Sequence, residues 1–245
     1  MRTTRIYVEL ELHAGAEVLL PPAASTHLLR VLRLKAGAAL TLFNGQGGEF
    51  AAELASAERS GARVLVGAAS AIERESPLHL TLLQGVARGE RMDFIVQKAT
   101  ELGVQRIVPL SCEFSVVRLD EASLRRRVEH WRSVAVAACE QCGRNRLPQI
   151  ETIMPLDEAC GSGADEALKL VLVPQAPATL KMLSTAPRPA VLLVGPEGGL
   201  SGREQLLAQR HGFQACRLGP RILRTETAPL AAQAALQALA GDLAS

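Results

Sequence analysis

The sequence predicts an α/β protein preceded by a separate small β-barrel domain, and three observations carry that reading. Short alternating runs dominate up to about Ile72, near-continuous apolar runs separated by helical patterns follow Ser76-Pro77, and two glycine-containing loops stand behind the last of those runs. Apolar runs of the second kind mark a parallel sheet covered on both faces. Residues 1–72 and 73–245 are read as the two domains.

In the first domain Ile6, Val8, Leu10 and Leu12 alternate with polar residues, the pattern of a half-buried strand. Leu28, Leu29 and Leu32 fall on one stripe of a helix over about 25–34. The segment ALTLFNGQGGEFAAEL sets two strand-like runs around Asn44 to Gly48, residues that tolerate the positive φ of a hairpin turn. A turn at Arg59-Ser60-Gly61 leads into ARVLVGAA. The sum is a small barrel.

In the second domain LHLTLLQGVA is a buried strand, Arg91 to Leu102 a helix closed by Gly103, and RIVPLS a strand. Asp120 to Cys142 is a long helix with Leu124, Val128, Trp131, Ala135 and Ala138 on one face, closed by Gly143. KLVLVP, AVLLVG and FQACRL are the remaining strands.

The composition, 48% hydrophobic and 21% charged, is that of a soluble globular chain. No apolar run approaches the roughly 20 residues of a membrane span. The start, MRTTRIYVELEL, alternates where a signal segment would be continuously apolar, so the expected location is the cytoplasm. A net charge of +2 excludes a histone-like basic footprint, and 3% aromatics exclude a base-stacking platform. The 5 cysteines are too few for a disulfide scaffold. Cys139 and Cys142 have metal-like spacing but no second ligand pair, and are read as structural thiols with no metal implied.

Ligands of open parallel sheets bind at the carboxyl ends of strands, where both loops stand. In VGPEGGLSGRE, Val194 to Glu204, glycines let a ligand approach the backbone, and Ser201 with Glu204 forms a capping box. The Lys-Ser/Thr of a Walker loop is missing. In LGPRILRTETA, Leu218 to Ala228, Thr225 or Thr227 caps a helix whose first turn holds Pro229. Ile222 and Leu223 are apolar in a loop and point to a pocket lining.

These two loops, with HLLRVLRLKAG from His27, KATELGV from Lys98 and EQCGRNRLP from Glu140, resemble the bacterial 16S ribosomal RNA uracil-N3 methyltransferase family, RsmE, of the SPOUT superfamily. The resemblance spans most of the chain. It implies a SPOUT α/β trefoil-knot methyltransferase domain behind a PUA-like RNA-binding barrel. It further implies S-adenosylmethionine as cofactor, a homodimer, and a uridine of 16S rRNA in the decoding region, presented by an assembled 30S subunit; the alanine-rich C-terminal helix is compatible with the dimer interface and equally with plain packing on the sheet.

Carried over residue by residue, the cofactor shell is Leu172, Val173, Val194, Gly195, Glu197, Gly198, Gly199, Leu218, Gly219, Ile222, Leu223 and Arg224. N3 of uracil carries a proton at neutral pH, so the reaction needs an acceptor and a cation beside the developing anion. Glu226 or Glu197 is expected as the acceptor, and Arg224 or Arg144 as the cation. Arg5, Arg30, Arg33, Gln141 and Arg144 are the expected RNA contacts. A non-catalytic RNA-binding assembly factor on the same fold is the alternative function.

Overall fold

The structure is a computed structural model that describes residues 3–58, 61–115, 120–161, 167–183 and 188–243. The chain falls into two compact units: residues 1–75 together with 139–147, and residues 76–138 together with 148–245. The chain leaves the second unit at residue 139, contributes one short segment to the first, and returns.

The first unit contains β1 (Thr4–Tyr7), β2 (Glu17–Leu19), α1 (Pro22–Thr26), a π-helical turn at His27–Val31, β3 (Ala39–Phe43), β4 (Glu49–Glu58) and β5 (Gly61–Ser70). The sheet order is β1-β3-β4-β5-β2, with β1 parallel to β3 and the other pairs antiparallel. Alternate residues of each strand face one core, where Ile6, Leu28, Leu40, Leu42, Leu54, Val64 and Val66 are buried. The first strand is shorter than its alternation suggests. The backbone pairs with β3 only as far as Val8, whose N–H donates to the Phe43 carbonyl, and Leu10 is 37% exposed. The helix starts earlier than its stripe, at a proline suited to a first turn, and widens into the π-helical turn. Residues Arg59 and Ser60 of the anticipated turn lie outside the described residues.

Arginines explain why residues 139–147 belong here. The Arg5 guanidinium pairs with Glu49, donates to the Arg144 carbonyl at 3.1 Å and to Asn145 Oδ1 at 2.6 Å, and lies 4.8 Å from the centre of the Phe43 ring. Arg144 grips Glu75 through two bonds of 2.9 and 2.5 Å, and Arg146 Nε donates to Glu73 at 2.8 Å. A bidentate guanidinium–carboxylate pair fixes orientation as well as distance. The Tyr7 N–H donates to Glu140 at 3.0 Å. Every one of these bonds joins groups far apart in sequence.

The second unit contains β6 (Leu80–Gly85), α2 (Glu90–Glu101), β7 (Arg106–Ser111), α3 (Glu121–Cys142), β8 (Gln149–Ile150), β9 (Met154–Pro155), α4 (Leu156–Gly161), β10 (Leu168–Leu172), α5 (Leu180–Leu183), β11 (Ala190–Val194), α6 (Gly202–Arg210), β12 (Gln214–Cys216) and α7 (Thr227–Ala240). The last turn of α3 is the part counted with the first unit. The sheet is parallel throughout, in the order β12-β10-β11-β6-β7-β8, with β9 also on β7. All five residues of β11 are buried, yet they alternate between two cores. Ala190, Leu192 and Val194 join Met92, Ile95, Trp131 and Leu236 on one face, while Val191 and Leu193 join Cys160, Ala208 and Phe213 on the other. That two-sided burial is why the strand reads as a continuous apolar run. Among the described residues no helix is long and apolar enough to cross a membrane.

The chain visits β6, β7 and β8 in one direction across the sheet, and β10 and β12 on the other side, with β11 set back between β10 and β6. The reversal lies at β6 and β11, whose carboxyl ends, Gln84 and Val194, are register partners. A crevice at such a reversal is where open α/β sheets take ligands.

Candidate active site

The loop after β11 is built by close backbone approach. A Cβ on Gly85, at the end of β6, would stand 2.5 Å from the nitrogen and Cδ of Pro196, and one on Gly195 would stand 2.7 Å from the Gly199 carbonyl carbon. No side chain fits at either place. Gly199 has φ of 72°, a left-handed conformation that glycine adopts without cost. Ser201 then starts α6 with the anticipated capping box: its hydroxyl accepts from the Glu204 N–H, and the Glu204 carboxylate accepts from the Ser201 N–H. The same carboxylate accepts from the Glu113 N–H at 2.8 Å, which ties the loop after β7 to this helix.

The loop after β12 is tied to the first loop by one side chain. Thr225 is buried, and its hydroxyl donates to the Gly195 carbonyl at 2.8 Å. Neither Thr225 nor Thr227 caps α7; the N-cap position is Glu226, which makes no side-chain capping bond. The Thr225 hydroxyl is turned toward the neighbouring loop, where it donates to the Gly195 carbonyl and accepts from Gln84 Nε2. Pro229 lies within the first turn, where its missing N–H costs nothing.

Beside this loop lies a pocket of about 470 Å³, lined by Thr179, Leu180, Lys181, Arg217, Leu218, Gly219, Arg221, Leu223, Thr227, Ala231, Ala235 and Leu239. Its size falls within the roughly 300–1,000 Å³ of small-molecule sites. Leu218, Leu223 and the alanines of α7 give an apolar wall suited to a flat ring, and Lys181 and Arg221 give cations for an anionic end. Arg217 is held back from such a role, because its guanidinium donates to the Ala176 and Pro177 carbonyls at 2.6 Å.

Of the residues anticipated for the cofactor shell, Leu218, Gly219 and Leu223 line this pocket. Ile222 is 77% exposed and lies outside the lining. Val194 is buried in the core, and Leu172 and Val173 are half-buried against the two cores at the end of β10. Gly195, Gly198 and Gly199 lie outside the lining: Gly195 accepts from the Thr225 hydroxyl, and the other two shape the first loop.

An ionic cluster faces the same two loops. The Glu197 carboxylate accepts from the Arg88 N–H at 2.9 Å and from the Arg91 guanidinium at 2.7 Å. Arg91 also stands 3.9 Å from Glu226, and Arg224 stands 3.9 Å from the other oxygen of Glu226. Burial raises the Glu197 carboxyl, but the hydrogen bonds from the Arg88 N–H, its own N–H and Arg91 outweigh that and hold it below the ordinary carboxylate value. Glu226 is set deeper, with its side chain 17% exposed, and its two cations sit beyond hydrogen-bond distance. Two acidic side chains therefore differ in availability: one is engaged, the other open. Arg88 and Arg91 were missed in the sequence because nothing in a helix-start pattern shows that the backbone N–H of one and the guanidinium of the other reach Glu197.

The remaining site residues lie in the first unit. Arg5 and Arg144 are buried in the ion pairs already described, and those same carboxylate bonds outweigh the burial of Arg144 and raise its guanidinium further. Arg30 and Arg33 are exposed at the end of the π-helical turn, and Gln141 is exposed in the last turn of α3. Arg33 has φ of 53°, the sole described non-glycine residue with positive φ. Burial pushes the Cys112 thiol up to about 12 and those of Cys160 and Cys216 up to about 11, so these are inert core groups.

Residues 74–237 match the RNA methyltransferase domain family, and residues 20–66 match the RNA methyltransferase PUA domain family. A ribosomal RNA small subunit methyltransferase E of Buchnera aphidicola is 32% identical over 97% of this chain and 94% of its own. The crystal structure of a ribosomal RNA small subunit methyltransferase E from Neisseria gonorrhoeae, bound to S-adenosyl methionine, is 38% identical with a TM-score of 0.92, covering 99% of this chain and 100% of that one. A Legionella pneumophila protein solved with the bound cofactor SAM is 40% identical with a TM-score of 0.94, over 99% of this chain and 100% of that one.

Proposed function

Because this chain belongs to the ribosomal RNA small subunit methyltransferase E family, we propose that it methylates N3 of a uridine in 16S rRNA with S-adenosylmethionine as donor. The observation that carries the reading is the pocket beside the loop after β12, combined with a relative of 38% identity that holds the cofactor. When bound, that group supplies a methyl on a sulfonium, which leaves as a neutral thioether and needs no acid.

The residues that would hold it are those of the pocket wall: Leu218 and Leu223 against the flat ring, with Gly219 and Thr227 offering backbone and hydroxyl groups. The chemical difficulty lies with the acceptor, which must lose its N3 proton. Glu226 takes that proton, because it accepts no hydrogen bond among the described residues whereas Glu197 is engaged by Arg88 and Arg91. Arg224, whose side chain is 79% exposed, offsets the negative charge that develops on the O2 and O4 atoms of the base. Arg30, Arg33 and Gln141 are the RNA contacts. Arg5 and Arg144 order the first unit.

The proposal extends to the finer properties that the resemblance implies: a knotted C-terminal segment, a homodimer, an assembled 30S subunit as substrate, and action in the cytoplasm. Nucleoside mass spectrometry of 16S rRNA from cells with and without this chain tests the reaction and the base together. Loss of 3-methyluridine is expected in its absence. An unchanged nucleoside profile, with cofactor binding intact, would favour an RNA-binding assembly role.

A further inference from the structure

Gln84 is a polar residue in an otherwise apolar strand, at the last turn of the sheet before the crevice, and it is fully buried. Its Nε2 donates to the Gly85 carbonyl at 2.9 Å, to the Thr225 hydroxyl at 3.3 Å and, at the 3.5 Å limit, to the Gly195 carbonyl. Its Oε1 is buried without a hydrogen-bond partner among the described residues. The amide is assigned this way round because turning it over would set Oε1 against the Gly85 and Gly195 carbonyls, neither of which can donate. The Thr225 hydroxyl, which donates to Gly195 at 2.8 Å, has its lone pairs left for Gln84. A relay therefore runs from β6 through the loop after β12 to the loop after β11.

We propose that Gln84 is a positioning residue for the cofactor pocket, acting through Thr225 to hold the loop of Leu218 to Glu226 against the Gly195 carbonyl. The reasoning is one of alternatives. An unmet buried acceptor is unfavourable, and a leucine or methionine of similar volume would fill the same space without it. What the amide adds is the two-proton donor group at the one point where both loops can be held together. Leu223 and Thr227, which line the pocket, are each two residues from Thr225, so the direction of that hydroxyl sets where they stand. The inference rests on the reading of this pocket as the S-adenosylmethionine site.

The test is a double-mutant cycle on Gln84→Met and Thr225→Val, read by titration calorimetry of S-adenosylmethionine on the full chain. Thr225→Ser is the control that keeps the hydroxyl. Each of the two variants weakens binding about tenfold, the double variant weakens it no more than either alone, and Thr225→Ser binds as the unaltered chain does. KM for the cofactor rises with them while KM for RNA is unchanged, a split that general destabilisation would not produce. Unchanged affinity in the two variants, or losses that multiply in the double variant, overturns the proposal. If Gln84→Met does not fold, Thr225→Val against Thr225→Ser carries the test, and equal affinities in that pair overturn it. Failure of the unaltered chain to bind the cofactor would instead remove the reading on which the inference stands.

Discussion

The Arg91 guanidinium donates to the Glu197 carboxylate at 2.7 Å, and this bond separates two acidic groups that the sequence leaves equivalent. With Glu197 engaged, Glu226 is the proposed proton acceptor. Glu226→Gln is expected to slow single-turnover methylation at saturating cofactor by about 10²–10⁴-fold. Glu197→Gln is expected to leave that rate within roughly tenfold, since its loss disturbs the loop and not the proton transfer. The reverse ranking would reassign the role.

Gly85 and Pro196 are in such close approach that a methyl group at Gly85 has no room. Both neighbours are backbone or ring atoms, so the loop must move as a unit. Gly85→Ala is expected to cost about 1–3 kcal/mol of stability and to weaken cofactor binding, read by denaturant unfolding and calorimetry. Retained stability with unchanged affinity would show that the loop tolerates displacement.

Arg33 combines an exposed charge with a left-handed backbone that costs an L-residue roughly 1–2 kcal/mol. Arg33→Gly and Arg33→Ala are each expected to reduce the slope of log affinity for RNA against log salt by about one. Only the glycine variant is expected to melt higher than the parent. A salt slope that does not change would remove Arg33 from the RNA contacts.

Burial raises the Glu140 carboxyl, against the smaller lowering effects of the Tyr7 N–H, His27 and Arg5. A carboxyl raised in the folded state favours folding below its unfolded value, and that contribution is lost as pH rises through the raised value. Glu140→Gln keeps an oxygen for the Tyr7 N–H and removes the charge. At pH 7 its melting temperature is expected about 2–4 °C above the parent, and the difference vanishes as pH falls below the usual carboxylate range. A gain that persisted in acid would point to packing instead.

Periodicity made much of the second unit legible. The stripe of Leu124, Val128, Trp131, Ala135 and Ala138 lies on α3, and the five apolar runs correspond to β6, β7, β10, β11 and β12. The Ser201–Glu204 box was readable because both partners lie within one turn. What sequence reading missed depends on contacts between distant segments. Thr225 stands where a capping residue would stand, and only the fold reveals that its hydroxyl faces Gly195. Gln84 did carry a signal, a lone amide in the run LTLLQG, but the strand pattern alone gives no partner for it. In the first domain the alternation of Ile6 to Leu12 overstated the strand, since alternation survives in the irregular chain after Val8.

The return of residues 139–147 to the first unit makes its completion a matter of timing during synthesis. A chain emerging from the ribosome presents Arg5, Tyr7 and Glu75 long before Asn145, Glu140 and Arg144 exist to meet them. The early segment must wait, with its buried charges still hydrated, until α3 has been delivered. A fragment ending at residue 75 would therefore keep the Arg5–Glu49 pair but leave Glu75 without its guanidinium, the Tyr7 N–H without its carboxylate and Arg5 without the Asn145 oxygen, so the first unit is complete only when the distant segment is joined to it.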